Sequence, residues 1–143
     1  MALRVLSLFM GVFLIFMGID KIAWFSDGGA FLTARLHEWL EMARPASRWY
    51  IETIAIPGAP VFARLVPLGE LTTGTALICG YRVRVAATLA LLMVLNFHFA
   101  SDILFRYSYL INGYGPPVIG GLLALAIGGK TLPFSLSQLT RRG

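Results

Sequence analysis

Apolar residues run almost without interruption over positions 3–19, 60–80, 83–101 and 113–129. Each run approaches the roughly 20 residues that a helix rising 1.5 Å per residue needs to cross a bilayer. The pattern predicts an all-α protein: a four-helix transmembrane bundle in a single membrane domain, 1–143, with spans over about 3–23, 60–80, 83–101 and 113–129. Only residues 81–84, "YRVR", separate the second run from the third. Those two helices are therefore expected to be antiparallel neighbours. The first run follows Arg4 and imitates a secretory signal, but no A-x-A-like site follows and Asp20 and Lys21 interrupt it, so it is read as a span.

Residues 24–59 break the pattern. In "GGAFLTARLHEWLEMAR" the positions Leu32, Leu36, Trp39 and Leu40 share one helical face, and Arg35, Glu38, Glu41 and Arg44 the other. That is an amphipathic helix, suited to lying on a membrane surface or capping the bundle. Pro45 ends it. "SRWYIETIAI" predicts a second short helix with Ser47 as N-cap, which "PGAP" at 57–60 breaks before the second span begins. The insert is expected to be extracytoplasmic, with Trp39 and Trp49 as surface residues for a partner or the interfacial belt.

Composition agrees with this reading. Of 143 residues 57% are hydrophobic and 13% charged, against about 25% charged in a soluble domain. The net charge of +5 is scattered among apolar runs and forms no patch, so nucleic acid is not an expected partner. Arg4, Arg82, Arg84, Lys130, Arg141 and Arg142 sit in short segments without acids, whereas the remaining cations are mixed with Asp and Glu. The positive-inside rule then puts both termini in the cytoplasm. Cys79 is the sole cysteine, which excludes a disulfide within the chain and the paired-thiol chemistry of four-helix thiol oxidoreductases. Two histidines with no spaced ligand set predict no metal site.

Glu70 is the residue that carries chemistry. It stands alone in "VPLGELTTGTALICG", at a depth where a carboxylate must find a cation or a proton. Counting 1.5 Å per residue from the basic turn or the basic ends, Glu70 and Asn96 lie about 18 Å up, His98 about 21 Å, Asp20 and Lys21 about 24 to 26 Å, and Asp102 about 27 Å. The polar side chains of the helices thus gather in the outer half of the membrane, and the inner half has almost none. Asn96 and His98 are expected to partner Glu70 across the short turn. His98 and Asp102, four apart, can bond to each other. Lys21 is a further partner for Glu70, and with Asp20 it also suits an interface anchor. These six residues are the candidates for a ligand or proton site; no catalytic residue is identifiable.

"GVFLIFMGIDKI" and "VPLGELTTGTALICGYRVRVAATLALL" resemble the DoxX family of small four-helix membrane proteins. Gly18 to Lys21 is similar to the signature ending its first helix. Gly69, Glu70, Thr73 and Gly74 resemble its Gly-Glu motif, followed here by a basic turn at Arg82 and Arg84. The family is similar to the small subunit of thiosulfate:quinone oxidoreductase and to a membrane protein of methylamine utilisation. The resemblance implies a prokaryotic inner-membrane location and a redox setting near quinone, with no covalent cofactor and no catalytic residue to carry over. The expected role is a small membrane subunit of an electron-transfer complex, binding lipid or quinone in an outer-leaflet pocket around Glu70. The alternative is a purely structural accessory subunit of a respiratory or photosynthetic complex, with no active site. A transporter is disfavoured, because the inner half offers no polar continuation.

Overall fold

The structure, a computed structural model, describes residues 1–130 and 132–136. Arg141 and Arg142, counted above toward orientation, lie outside the described residues. Among the described residues six α-helices follow in order: α1 (Ala2–Asp20), α2 (Ala30–Met42), α3 (Pro45–Tyr50), α4 (Ile56–Cys79), α5 (Val83–Ala100) and α6 (Pro116–Gly128). Among the described residues there is no strand. Among these described residues three helical stretches are long and apolar enough to cross a membrane: Ala2–Asp20, Pro45–Cys79 and Val83–Ala100. The fourth expected span is a shorter apolar helix of 13 residues. Pro116 and Pro117 set its start, because they suit the first helical turn, and the Gly128–Gly129 pair marks its end.

The buried residues of α1 are Ser7, Gly11, Leu14 and Gly18, and Lys21 continues them. Their spacing of four, three, four and three is a seam along one helical face. On α4 the matching seam holds Pro67, Glu70, Gly74 and Leu77. Where the seams meet, a Cβ on Gly11 would stand 2.7 Å from the Gly74 carbonyl oxygen, and one on Gly74 would stand 2.9 Å from that of Gly11. Only glycine permits this approach, which in a membrane is what holds helices together. Three residues further along each helix, the same periodicity delivers Leu14 and Leu77 to the core. Seven residues beyond Leu14 on α1 and four before Gly74 on α4, it delivers Lys21 and Glu70 to each other. Among other glycines of the helices, Gly69 meets Met93 and Gly121 meets Met10, whereas Gly120 faces open space.

The α4–α5 turn closes through Gly80, whose φ is +68°, and Arg82, at +42°. Arg4 caps the carbonyls of Leu77 and Ile78 at 3.1 and 2.7 Å, and Ser7 also donates to Leu77. This end of the bundle has a dry core of Leu14, Leu77, Ala87, Ala90, Leu122 and Leu125.

Two expectations for the insert change, and a third, whether α2 lies on the membrane or caps the bundle, is decided. "PGAP" does not break the chain: α3, a π-turn (Ile51–Ala55) and α4 form one helix of 35 residues, Pro45–Cys79. The Ile56 N–H reaches back five residues to the Ile51 carbonyl. That π register comes just before Pro57, which has no N–H to give. Ser47 is not the N-cap; Arg44 holds that position without a side-chain cap bond, and Ser47 Oγ donates instead to Phe99 O and Asp102 Oδ1. The apolar face of α2 packs on its own chain, with Leu32 and Leu36 buried against Ile51, Ala55, Ala59 and Ala63. A helix of 35 residues is about 52 Å long, against a hydrocarbon core of about 30 Å. Its overhang supplies the surface that α2 covers.

Candidate functional site

Between the dry core and the layer under α2 lies a band of polar side chains. Lys21 is the residue just past the end of α1. Its Nζ donates to the Met17 carbonyl at 2.9 Å and to Glu70 Oε1 and Oε2, each at 2.9 Å. Both side chains are buried. The aromatic rings of Phe97 and Trp24 stand 5.8 and 6.0 Å from Nζ, adding cation–π attraction. The three N–H bonds of the ammonium are therefore all used. The carboxylate is not so filled: it has about four lone-pair positions, and Lys21 takes two.

A cavity of about 200 Å³ opens on this pair. Phe13, Met17, Met93, Val94 and Phe97 make its walls apolar, and Lys21, Glu70, His98, Ser101 and Tyr114 are its polar members. His98 Nδ1 lies 2.9 Å from the Tyr109 hydroxyl, with the rings edge to face at 5.2 Å. That leaves Nε2 as the nitrogen without a hydrogen-bond partner among the described residues. If the Tyr109 hydroxyl donates to Nδ1, a neutral ring carries its proton on Nε2 and offers it to the cavity. Burial pushes the Tyr109 phenol above its ordinary range, so it stays protonated. A second hollow, a groove of about 550 Å³, lies on the other side of Lys21. Trp24, Leu32, Trp39 and Phe97 form its apolar side, and Asp20, Asp27 and Arg35 its charged rim.

The structure brings together Glu70, Lys21 and His98 around the cavity. It does not bring Asn96: that residue points to the other side of α5, where its Oδ1 accepts from the Tyr50 hydroxyl. Two positions before His98, it is turned about 200° around the helix. The expected His98–Asp102 bond is absent. Asp102 has left the helix with φ +55° and turns to Arg44, Arg106 and Ser47. Asp20 is exposed on the groove rim, next to the pair but outside the cavity. Trp39 is no surface residue; it is half-buried, edge-on to Phe97 at 6.2 Å, and walls the cavity. Trp49 is exposed as expected. Sequence reasoning missed Tyr109 and the Met17 carbonyl. The seam spacing from Ser7 to Lys21 was the signal that could have fixed Lys21 as the partner of Glu70. Among the described residues no group of three or more His, Cys, Asp or Glu side chains comes together to hold a metal.

A family model described as DoxX matches residues 2–101. No curated protein and no solved structure matches the chain. The matched region contains Lys21, Glu70 and His98 but stops short of Tyr109 and α6.

Proposed function

We propose that this chain, which belongs to the DoxX family, is a small membrane subunit that binds the ring of a quinone, or the end of a lipid, in the cavity beside Glu70. The observation carrying this reading is the half-used Glu70 carboxylate and the unpartnered His98 Nε2 on one apolar cavity. A quinone oxygen would accept from His98 Nε2–H, and a quinol hydroxyl would donate to Glu70. Few convergent polar groups in an apolar hollow is the ordinary design of a small-molecule site. The volume of about 200 Å³ is below the roughly 300–1,000 Å³ that engulfs a drug-sized ligand. It suits one ring, with an isoprenoid tail lying in the lipid. The chain holds no redox group of its own in this reading, so electrons come from the bound quinone and a partner in an electron-transfer complex.

The same reading takes the protein as one domain, 1–143, in a prokaryotic inner membrane, with both termini cytoplasmic. The short α6 completes a fourth span with the segment before it. The insert 24–59 then lies outside, and the cavity in the outer leaflet.

Decylubiquinone, titrated against intrinsic tryptophan fluorescence, tests it. Wild-type protein should be quenched saturably. Glu70→Gln should weaken binding at least tenfold, Val94→Trp should abolish it by filling the cavity, and Ile127→Trp on the exposed face of α6 should change nothing. Equal, unsaturable quenching in all four overturns the reading. One observation favours a structural role instead: every donor of Lys21 is already satisfied inside the chain, and the pair joins the two most closely packed helices. In that case Glu70→Gln should impair assembly with the partner complex and leave quinone affinity unmoved.

A further inference from the structure

Lys21 belongs to two hollows at once. On one side is the apolar cavity, and on the other the larger groove. Trp39 and Phe97 also line both and stand as the partition. The two sides differ in chemistry. The cavity is walled by Phe, Met and Val. The groove carries two carboxylates, a serine and an arginine at its rim, and Asp20, Ser26, Asp27 and Arg35 are all exposed. Its volume of about 550 Å³ is far above the roughly 10–15 Å³ that one water requires. In the proposed topology Ser26, Asp27 and Arg35 belong to the insert outside the membrane and Asp20 lies at the outer end of α1, so the groove opens toward water. Asp27 is occupied, accepting from the Gly29 and Phe31 N–H groups at 2.8 and 3.0 Å. Arg35 is paired with Glu38. Asp20, adjacent to Lys21 in sequence, is the rim carboxylate with its oxygens available.

We infer that the groove is an aqueous vestibule through which Lys21 and Glu70 exchange protons with one face of the membrane, with Asp20 as the positioning residue at its mouth. The inference rests on Glu70 being the ligand-facing group, and assigns the side from which its protons come and go. The steps balance as follows. When Glu70 is protonated its carboxyl accepts one Lys21 N–H fewer, and the freed N–H gives its proton to groove water held at Asp20, leaving an amine. A protonated Glu70 passes its proton to that amine, which restores the ammonium and the carboxylate. The net result is one proton moved from the cavity side to the groove, and the reverse order delivers one. The titratable groups facing the pair are Asp20 on α1, His98 on α5, Tyr114 before α6, Asp27 on the segment leading into α2, and Arg35 on α2. The tight Gly11–Gly74 crossing and the dry core fill the other end of the bundle, so the exchange is one-sided and moves nothing across the membrane.

Infrared spectroscopy on the protein in liposomes tests this. The Glu70 carboxyl band is the one lost in Glu70→Gln, and its exchange rate is followed after a jump in pH or transfer to deuterated buffer. Asp20→Asn should slow exchange at least tenfold. Ser26→Trp, which plugs the groove from an exposed position, should slow it as much or more. Unchanged rates in both variants overturn the inference, as does a wild-type band that neither titrates nor exchanges. The decylubiquinone titration separates the two ideas: slowed exchange in a protein that binds no quinone leaves the vestibule standing and removes the quinone. Quinone binding with exchange indifferent to both variants removes the vestibule alone.

Discussion

Two carboxylates are buried in this protein, Glu70 and Asp102, exposed to 7% and 3%. Both are held by cations, yet their surroundings differ in kind. Asp102 is saturated. Arg44 Nε reaches both its oxygens at 3.1 Å, Arg106 Nη2 reaches Oδ2 at 2.7 Å, and Ser47 adds a bond at 3.2 Å. Its guanidinium partners are nearly half exposed and anchor the α2–α3 corner to the end of α5. Glu70 has one cation, itself buried, and a cavity on its free side. A carboxylate surrounded by donors on every lone pair fastens elements together. A carboxylate with spare lone pairs facing space is built to meet something else.

Removing one member of the Glu70 pair should have the largest effect, because it leaves an uncompensated buried charge. Lys21→Met is expected to cost about 3–5 kcal/mol in denaturant unfolding from bicelles, and adding Glu70→Met should restore most of that. A double variant no better than the single would contradict the pairing. Asp102→Asn should cost about 1.5–3 kcal/mol, the worth of hydrogen bonds to a charged group. Its pH dependence sharpens the contrast. Burial pushes the Asp102 carboxyl up, but hydrogen bonds from Arg44, Arg106 and Ser47 with the Arg44 charge outweigh it and hold it below the usual range. A depressed folded-state pKa gives stability that is present above the unfolded value, about 3.9, and lost as pH falls through the folded one. Wild type should therefore lose stability on acidification below about pH 4, and Asp102→Asn should lack that component of the profile.

Gly74→Val, which leaves both charged residues in place but forces α1 from α4, is expected to cost about 1–3 kcal/mol by overpacking. It should weaken quinone binding by drawing Lys21 off Glu70. Gly120→Ala, into open space, should shift unfolding by less than about 0.5 kcal/mol. Thermal melts in one detergent rank these two variants directly.

Much of the architecture was legible in the chain. The apolar runs place α1, α5 and the membrane part of α4, and the amphipathic pattern places α2. Depth counting brought Lys21, Glu70 and His98 to the outer half of the membrane. What escaped was rotation. Asn96 shares the height of Glu70 but faces Tyr50, because two residues along a helix turn a side chain to the far side. Asp102 was assigned to the helix face of His98, yet it sits beyond the helix end, where 3.6-residue periodicity no longer applies. The continuous helix through Pro57 and Pro60 was hidden because a π-turn just before Pro57 accommodates that proline, and no local signal announces it. The match of Tyr109 to His98 depends on an irregular loop, and Gly115 leaves the space the ring needs: a Cβ there would stand 2.8 Å from it.

The most direct test is native mass spectrometry of the protein extracted from its own membranes in mild detergent, comparing wild type with Val94→Trp. The account predicts a bound quinone-sized mass on wild type that is missing from the variant. An unliganded wild type that travels at fixed stoichiometry with a larger complex, with Val94→Trp doing the same, would contradict the site and leave the Lys21–Glu70 pair as a fastener between α1 and α4.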